Sequence, residues 1–266
     1  MADIIDIADA DDARLRLYRD VKDRDLSGRE GAFIAEGKVV IERLFASKLA
    51  EPLSVLTTPE RLRGLNLSDL RNGAPVYVVP QAVMDRVAGF EIHRGYLALG
   101  RYGPVPALSD ILRKPKVRVL ALSEIANVDN MGGLMRNAAA FGIDAVILDQ
   151  RCCDPLYRKA MRVSVGGTLK VPHYRLAANQ ALIDVLKSHA LTPFALSPAG
   201  RTRLHEVTPT DRLAVIVGAE GPGLGPYVLA ACETVRIDMH GGFDSLNVAT
   251  TSGIVLHEFC RESGVV

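Results

Sequence analysis

Tryptophan is absent, and aromatic residues make up only 5% of the 266-residue chain. The sequence therefore offers no obvious aromatic platform on which bases could stack. Neither sign of charge dominates, since 32 Lys and Arg stand against 31 Asp and Glu for a formal charge of +1. A near-neutral chain neither demands nor forbids a nucleic-acid partner, so local patches decide. Cysteine is scarce: Cys152 and Cys153 adjoin, Cys232 and Cys260 stand alone, and no Cys-x-x-Cys occurs. That spacing argues against a secreted disulfide framework and against a zinc site, and no metal is expected. No apolar run reaches the roughly 18 residues of a membrane span. The start, Met1 to Asp6, lacks the basic residues and apolar run of a signal peptide, so a cytoplasmic location without membrane association is the expectation.

What is present is 48% hydrophobic and 24% charged, the balance of a globular chain with a real core. Residues 1–104 read as a small α/β unit. A charged helix is predicted from Asp11 to Arg24, with Leu15, Tyr18 and Val21 at helical spacing. A second helix is predicted over Lys38–Ser47, and a third over Pro80–Val87. Strands are predicted at Leu53–Leu56, Val76–Val79 and Tyr96–Leu99. Gly and Pro around Arg101 to Pro106, and again at Pro115, mark 105–116 as a linker. From Val117 onward, short apolar strands (117–122, 145–148, 193–196, 213–217, 235–237) alternate with helices (132–141, 155–163, 179–189, 226–231, and from 245 onward). That alternation predicts a parallel sheet covered by helices on both faces.

Three stretches carry the chemistry. The run Gly218-Ala-Glu220-Gly221-Pro-Gly223-Leu-Gly225 follows an apolar strand and precedes a helix. Glycines there allow a tight turn or the close approach of a ligand to the main chain. The run matches neither a Gly-x-Gly-x-x-Gly fingerprint nor a P-loop, which disfavours a nicotinamide-dependent dehydrogenase. Ser245-Leu-Asn247 opens an apolar C-terminal helix. Ser245 reads as its N-cap, while Asn247 is a polar amide in a segment built for burial and needs partners. In the stretch from Asn127 to Gly142, Asn130 reads as a helix cap, and Arg136 lies among Leu134, Ala138, Ala139 and Ala140. An arginine in such company either snorkels to solvent or holds an anion.

Taken in order, and with Lys159 to Gly167 and Phe33 to Gly37, these stretches resemble the SpoU (TrmH-like) family of RNA 2′-O-ribose methyltransferases. The resemblance implies a SPOUT-type knotted parallel sheet with helices on both faces over 117–266, preceded by an L30e-like RNA substrate-binding domain over 1–104. It implies S-adenosyl-L-methionine as methyl donor, held by Gly218, Ile237 and Leu246 with Val217 and Met239 beside them. It places Asn130, Arg136, Glu220, Ser245 and Asn247 at the reacting ribose. A guanidinium stays protonated, with a pKa above about 12, so Arg136 is read as a phosphate anchor and stabiliser of alkoxide charge rather than as the base. RNA phosphates would be met by Arg151, Arg158, Lys159 and Arg162, and by Arg14 and Arg16 in the N-terminal cluster. Ribosomal RNA is favoured over transfer RNA as the substrate, and a homodimer is expected. An RNA-binding protein that has lost catalysis is the competing reading. Two departures from the family pattern are Asp238, where Pro is usual, and Ala249, where Ser is usual.

Overall fold

The apolar tracts read as strands do pair side by side, in two separate sheets. The computed structural model describes residues 3–19, 31–71, 73–89, 95–241 and 243–260, and the chain divides into two units. In the first unit β1 (Ile4–Asp6), β2 (Ala32–Glu36), β3 (Ala50–Thr57), β4 (Val76–Val78) and β5 (Tyr96–Tyr102) form one sheet in the order β1-β4-β3-β5-β2. Helices α1 (Lys38–Ala46), α2 (Pro59–Leu62) and α3 (Gln81–Ala88) complete it. One core of this unit gathers Phe33, Ile41, Leu44, Phe45 and Val55. Each such side chain contributes roughly 1.5–3 kcal/mol through burial.

The second unit carries α4 (Leu108–Leu112), β6 (Val117–Leu122), α5 (Val128–Ala140), β7 (Ala145–Leu148), β8 (His173–Arg175), α7 (Leu182–Ser188), β9 (Thr192–Leu196), β10 (Thr202–Arg203), β11 (Arg212–Val217), α8 (Pro226–Ala231), β12 (Glu233–Arg236) and α9 (Val248–Cys260), with α6 (Arg158–Val163) falling in the first. Its seven strands run in the order β10-β12-β9-β11-β6-β7-β8, every pair parallel. Alternation along the strands sends Val119, Ala121, Ala214 and Ile216 into a core shared with Ile183 and Leu186 of α7 and Leu112 of α4. The opposite-facing Leu120, Leu122, Val215 and Val217 are just as deeply buried. Helices α5 and α9 pack together, and Phe259 of α9 meets Phe194 of β9 edge-on at 5.1 Å. Strands covered on both faces account for their unbroken apolar sequence.

Several boundaries differ from expectation, each for a local reason. Helix α5 starts at Val128 because Asn127, not Asn130, is its cap; its side chain accepts from the Asp129 and Asn130 amides at 2.9 and 3.2 Å. Helix α9 starts at Val248 because Asn247, not Ser245, accepts from the Ala249 and Thr250 amides at 2.9 and 3.3 Å. The predicted helix from Asp11 is a 3-10 turn over Ala13–Tyr18 capped by Asp12, and residues 20–30 lie outside the described residues. The stretch 105–116 is not a bare linker: α4 buries Ile111 and Leu112 in the core of the second unit. Residues Asp154–Lys170 belong to the first unit, because Met161 and Leu169 bury among Phe33, Val40 and Leu44. The second unit is therefore discontinuous in sequence.

Candidate active site

Parallel strands bring their carboxyl ends to one edge of the sheet, and that edge is where α/β proteins form ligand crevices. Here β9, β11 and β12 end beside one another. The segments that leave them enclose a cavity of about 540 Å³, within the range of small-molecule sites. Leu196 to Pro198 form one wall, Val217 to Gly221 a second, and Ile237 and Met239 a third. Asp244 to Val248, with Thr251 and Val255 of α9, close it. All five residues assigned to the donor by resemblance (Val217, Gly218, Ile237, Met239 and Leu246) line this space. Gly218 has no room for a side chain: a Cβ there would stand 2.6 Å from the carbonyl carbon and oxygen of Gly223. The loop is folded back on itself, with the Gly223 amide donating to the Ala219 carbonyl at 3.1 Å.

Beside the cavity, three side chains from three segments join. The buried Asn130 amide donates to Glu220 Oε1 at 2.5 Å. Asn247 Nδ2 donates to Asn130 Oδ1 at 2.8 Å and to Glu220 Oε1 at 3.2 Å. Asn247 spends its oxygen on capping α9, so its nitrogen must face the other two. That fixes the orientation of Asn130 in turn. Glu220 Oε1 thus accepts twice, and Oε2 has no hydrogen-bond partner among the described residues. An ionised carboxylate with one uncommitted oxygen can accept a hydroxyl proton or orient a hydroxyl group. Ser245 also lines the cavity and is exposed.

Arg136 is not brought into this cavity. It is exposed on α5 and, six residues after Asn130, faces about 120° away from it and about 9 Å farther along the axis. The basic residues expected at RNA fall in both units. Arg151 pairs with Glu124 at 2.8 Å. Arg162 and Arg158 converge on the buried Glu36 carboxylate at 3.2 and 4.0 Å, both within the first unit. Lys159 and Arg16 are exposed. Arg14 grips Asp12 at 2.6 Å and holds its carboxyl down to about 2. In the second unit, the Leu122 carbonyl of β6 accepts from the Cys152 thiol, which burial and the neighbouring Asp149 push up to about 12. No cluster of three or more His, Cys, Asp or Glu able to hold a metal occurs among the described residues.

Sequence reasoning missed the wall from Leu196 to Pro198, although Ser197-Pro198 directly after an apolar strand marks a strand's carboxyl end. It also missed Asn137, whose amide ties α5 to the Ala249 carbonyl at 2.6 Å and to Ser252 Oγ at 2.8 Å.

The SpoU rRNA Methylase family model matches residues 117–257. A relative in Mycobacterium bovis, named as an uncharacterized tRNA/rRNA methyltransferase, is 38% identical over 97% of this chain and 92% of its own length. Among solved structures, an RNA 2′-O ribose methyltransferase is 25% identical with a TM-score of 0.77, covering 96% of this chain and 97% of that one. An AdoMet-bound rRNA methyltransferase from Sinorhizobium meliloti shares the fold at 20% identity and a TM-score of 0.79, over 96% and 97% of the two chains. By the match over residues 117–257 and by the relative at 38% identity, the chain belongs to the SpoU rRNA methylase family.

Proposed function

We propose that the protein transfers a methyl group from S-adenosyl-L-methionine to a ribose 2′-hydroxyl of RNA, with ribosomal RNA favoured over transfer RNA. The observation that carries this reading is the Asn130–Glu220–Asn247 cluster at the margin of the cavity. The cavity suits the donor. Its volume is adequate, its walls are largely apolar or main chain, and Glu220 and Asp244 supply negative charge for a cationic ligand. When bound, the donor supplies an electrophilic methyl group on a positively charged sulfur.

The protein's own contribution is alignment and management of one proton. A ribose hydroxyl is a poor nucleophile at neutral pH. Glu220, held through Oε1 by two amides, presents Oε2 to orient that hydroxyl and polarise its O–H bond. Asn130 and Asn247 keep the carboxylate in place, and Ser245 contributes a further hydroxyl at the cavity. Arg136, exposed and remote from Asn130 on α5, is assigned to a phosphate of the RNA flanking the reacting ribose, which it anchors. A homodimer supplies the natural setting, since exposed Ile254 and Phe243 leave apolar surface on the C-terminal segment. The C-terminal tract is read as the family's knot, and residues 1–104 as its L30e-like RNA-binding domain.

Incubation with methyl-labelled donor and total RNA from a strain lacking the gene tests the reaction. Label in alkali-resistant dinucleotides is expected, whereas label confined to alkali-sensitive nucleotides would refute ribose methylation. A monomer at micromolar concentration in sedimentation would refute the dimer.

A further inference from the structure

We propose that Arg236 and Asp238 are positioning residues for the donor cavity, forming an ionic clasp that holds two of its walls in register. The proposal rests on the reading that this cavity binds S-adenosylmethionine. One wall leaves β9 as Leu196 to Pro198 and runs on to β10; the other leaves β12 as Ile237 and Met239.

Along β12 itself the two segments are joined by main-chain contact. The Ser197 amide donates to the Val235 carbonyl, and the Arg201 amide to Thr234 Oγ1, each at 3.0 Å. Gly200 lies so close that a Cβ there would stand 2.6 Å from the carbonyl carbon of Val235. Beyond Arg236 the strand ends, and side chains take over. Arg236 Nη1 donates to the carbonyls of Gly200 and Arg201, both at 2.8 Å. Its Nε donates to Asp238 Oδ1 at 3.1 Å. From β10, Arg203 Nε stands 3.5 Å from Asp238 Oδ2. One carboxylate is thus bracketed by a guanidinium from each segment, and it sits between the two cavity residues Ile237 and Met239.

The Asp238 side chain is 52% exposed, so these pairs add little to global stability. Their effect falls instead on the order of the 237–239 segment, and so on donor affinity. Two further consequences follow. The contribution must be screened by salt, because at 1 M the Debye length falls to about 3 Å. It must also leave the reacting cluster untouched, because Asn130, Glu220 and Asn247 make none of these bonds.

The test is titration calorimetry with S-adenosylmethionine and S-adenosylhomocysteine at low and high salt. Asp238→Ala and Asp238→Asn are expected to raise the donor Kd roughly three- to tenfold at low salt. The gap to wild type should shrink to within about twofold near 1 M salt. Turnover at saturating donor and the KM for RNA should match wild type. Arg236→Lys, which keeps the charge but has no second nitrogen to hold the two carbonyls and the Asp238 carboxylate at once, should show a similar affinity loss with weaker salt dependence. Variants that bind the donor as wild type does would overturn the clasp, as would variants that lose only turnover. A wild-type protein that binds neither compound would instead overturn the donor reading, and the proposal with it.

Discussion

Asn247 does two jobs at once, and its replacement separates them. Its oxygen caps α9 by accepting from the Ala249 and Thr250 amides, while its nitrogen donates to Asn130 and Glu220. In Asn247→Ala the lost cap costs about 1 kcal/mol. The lost donors leave the buried Asn130 oxygen without its protein partner. That costs about 1 kcal/mol more, at the low end because water reaches the exposed position 247. The sum of about 2 kcal/mol lowers the Tm of the transition that reports the second unit by roughly 4–8 °C. Asn247→Ser keeps a capping oxygen but cannot reach Glu220, so its Tm should fall by about half as much. Both variants should lose most methyl transfer, because Glu220 loses one of the two amides that hold it. Calorimetric unfolding beside a methyl-transfer assay reads both effects. An Asn247→Ala protein within about 1 °C of wild type, or a serine variant as unstable as the alanine one, would refute the double role.

Other outcomes follow from single contacts. Gly218→Ala should lower donor affinity at least about tenfold, since its Cβ would meet the Gly223 carbonyl at 2.6 Å and the loop must shift; unchanged calorimetric binding would contradict this. Arg136→Ala should leave Tm and donor affinity unchanged, as expected of an exposed side chain, while depressing transfer about a hundredfold or more; near-normal turnover would remove Arg136 from the reaction. Cys152, held up to about 12 mainly by burial, should resist iodoacetamide at pH 8 in the native protein and react after unfolding, as peptide mass mapping would show. With the folded pKa raised, the thiol's contribution to stability is complete below the unfolded pKa of about 9 and declines as pH rises from there toward 12. Cys152→Ala should flatten that part of the alkaline unfolding curve.

The parallel sheet was legible because strands buried on both faces have an unmistakable apolar pattern: Val117–Leu122 and Ala145–Leu148 have the predicted bounds. Strands Thr202–Arg203 and His173–Arg175 were not legible, being short and polar edge pieces defined only by their neighbours. The helix starts misled because two polar residues compete at each: Asn127 and Asn130 at one, Ser245 and Asn247 at the other. Which of them caps depends on where a third segment, carrying Glu220, places an acceptor. The allocation of Asp154–Lys170 to the first unit was equally hidden, because Met161 and Leu169 could serve either core. The burial of Glu36 between Arg158 and Arg162 was hidden as well, because those arginines lie more than a hundred residues away in sequence.

The most direct test of the account uses the RNA itself, once the methylated position is mapped. A substrate carrying 2′-deoxyribose at that single nucleotide should bind with nearly unchanged affinity and accept no methyl group in a single-turnover assay. Continued transfer to the deoxy substrate would show that the acceptor is not the ribose hydroxyl, and the role given to Glu220 and its two amides would fall.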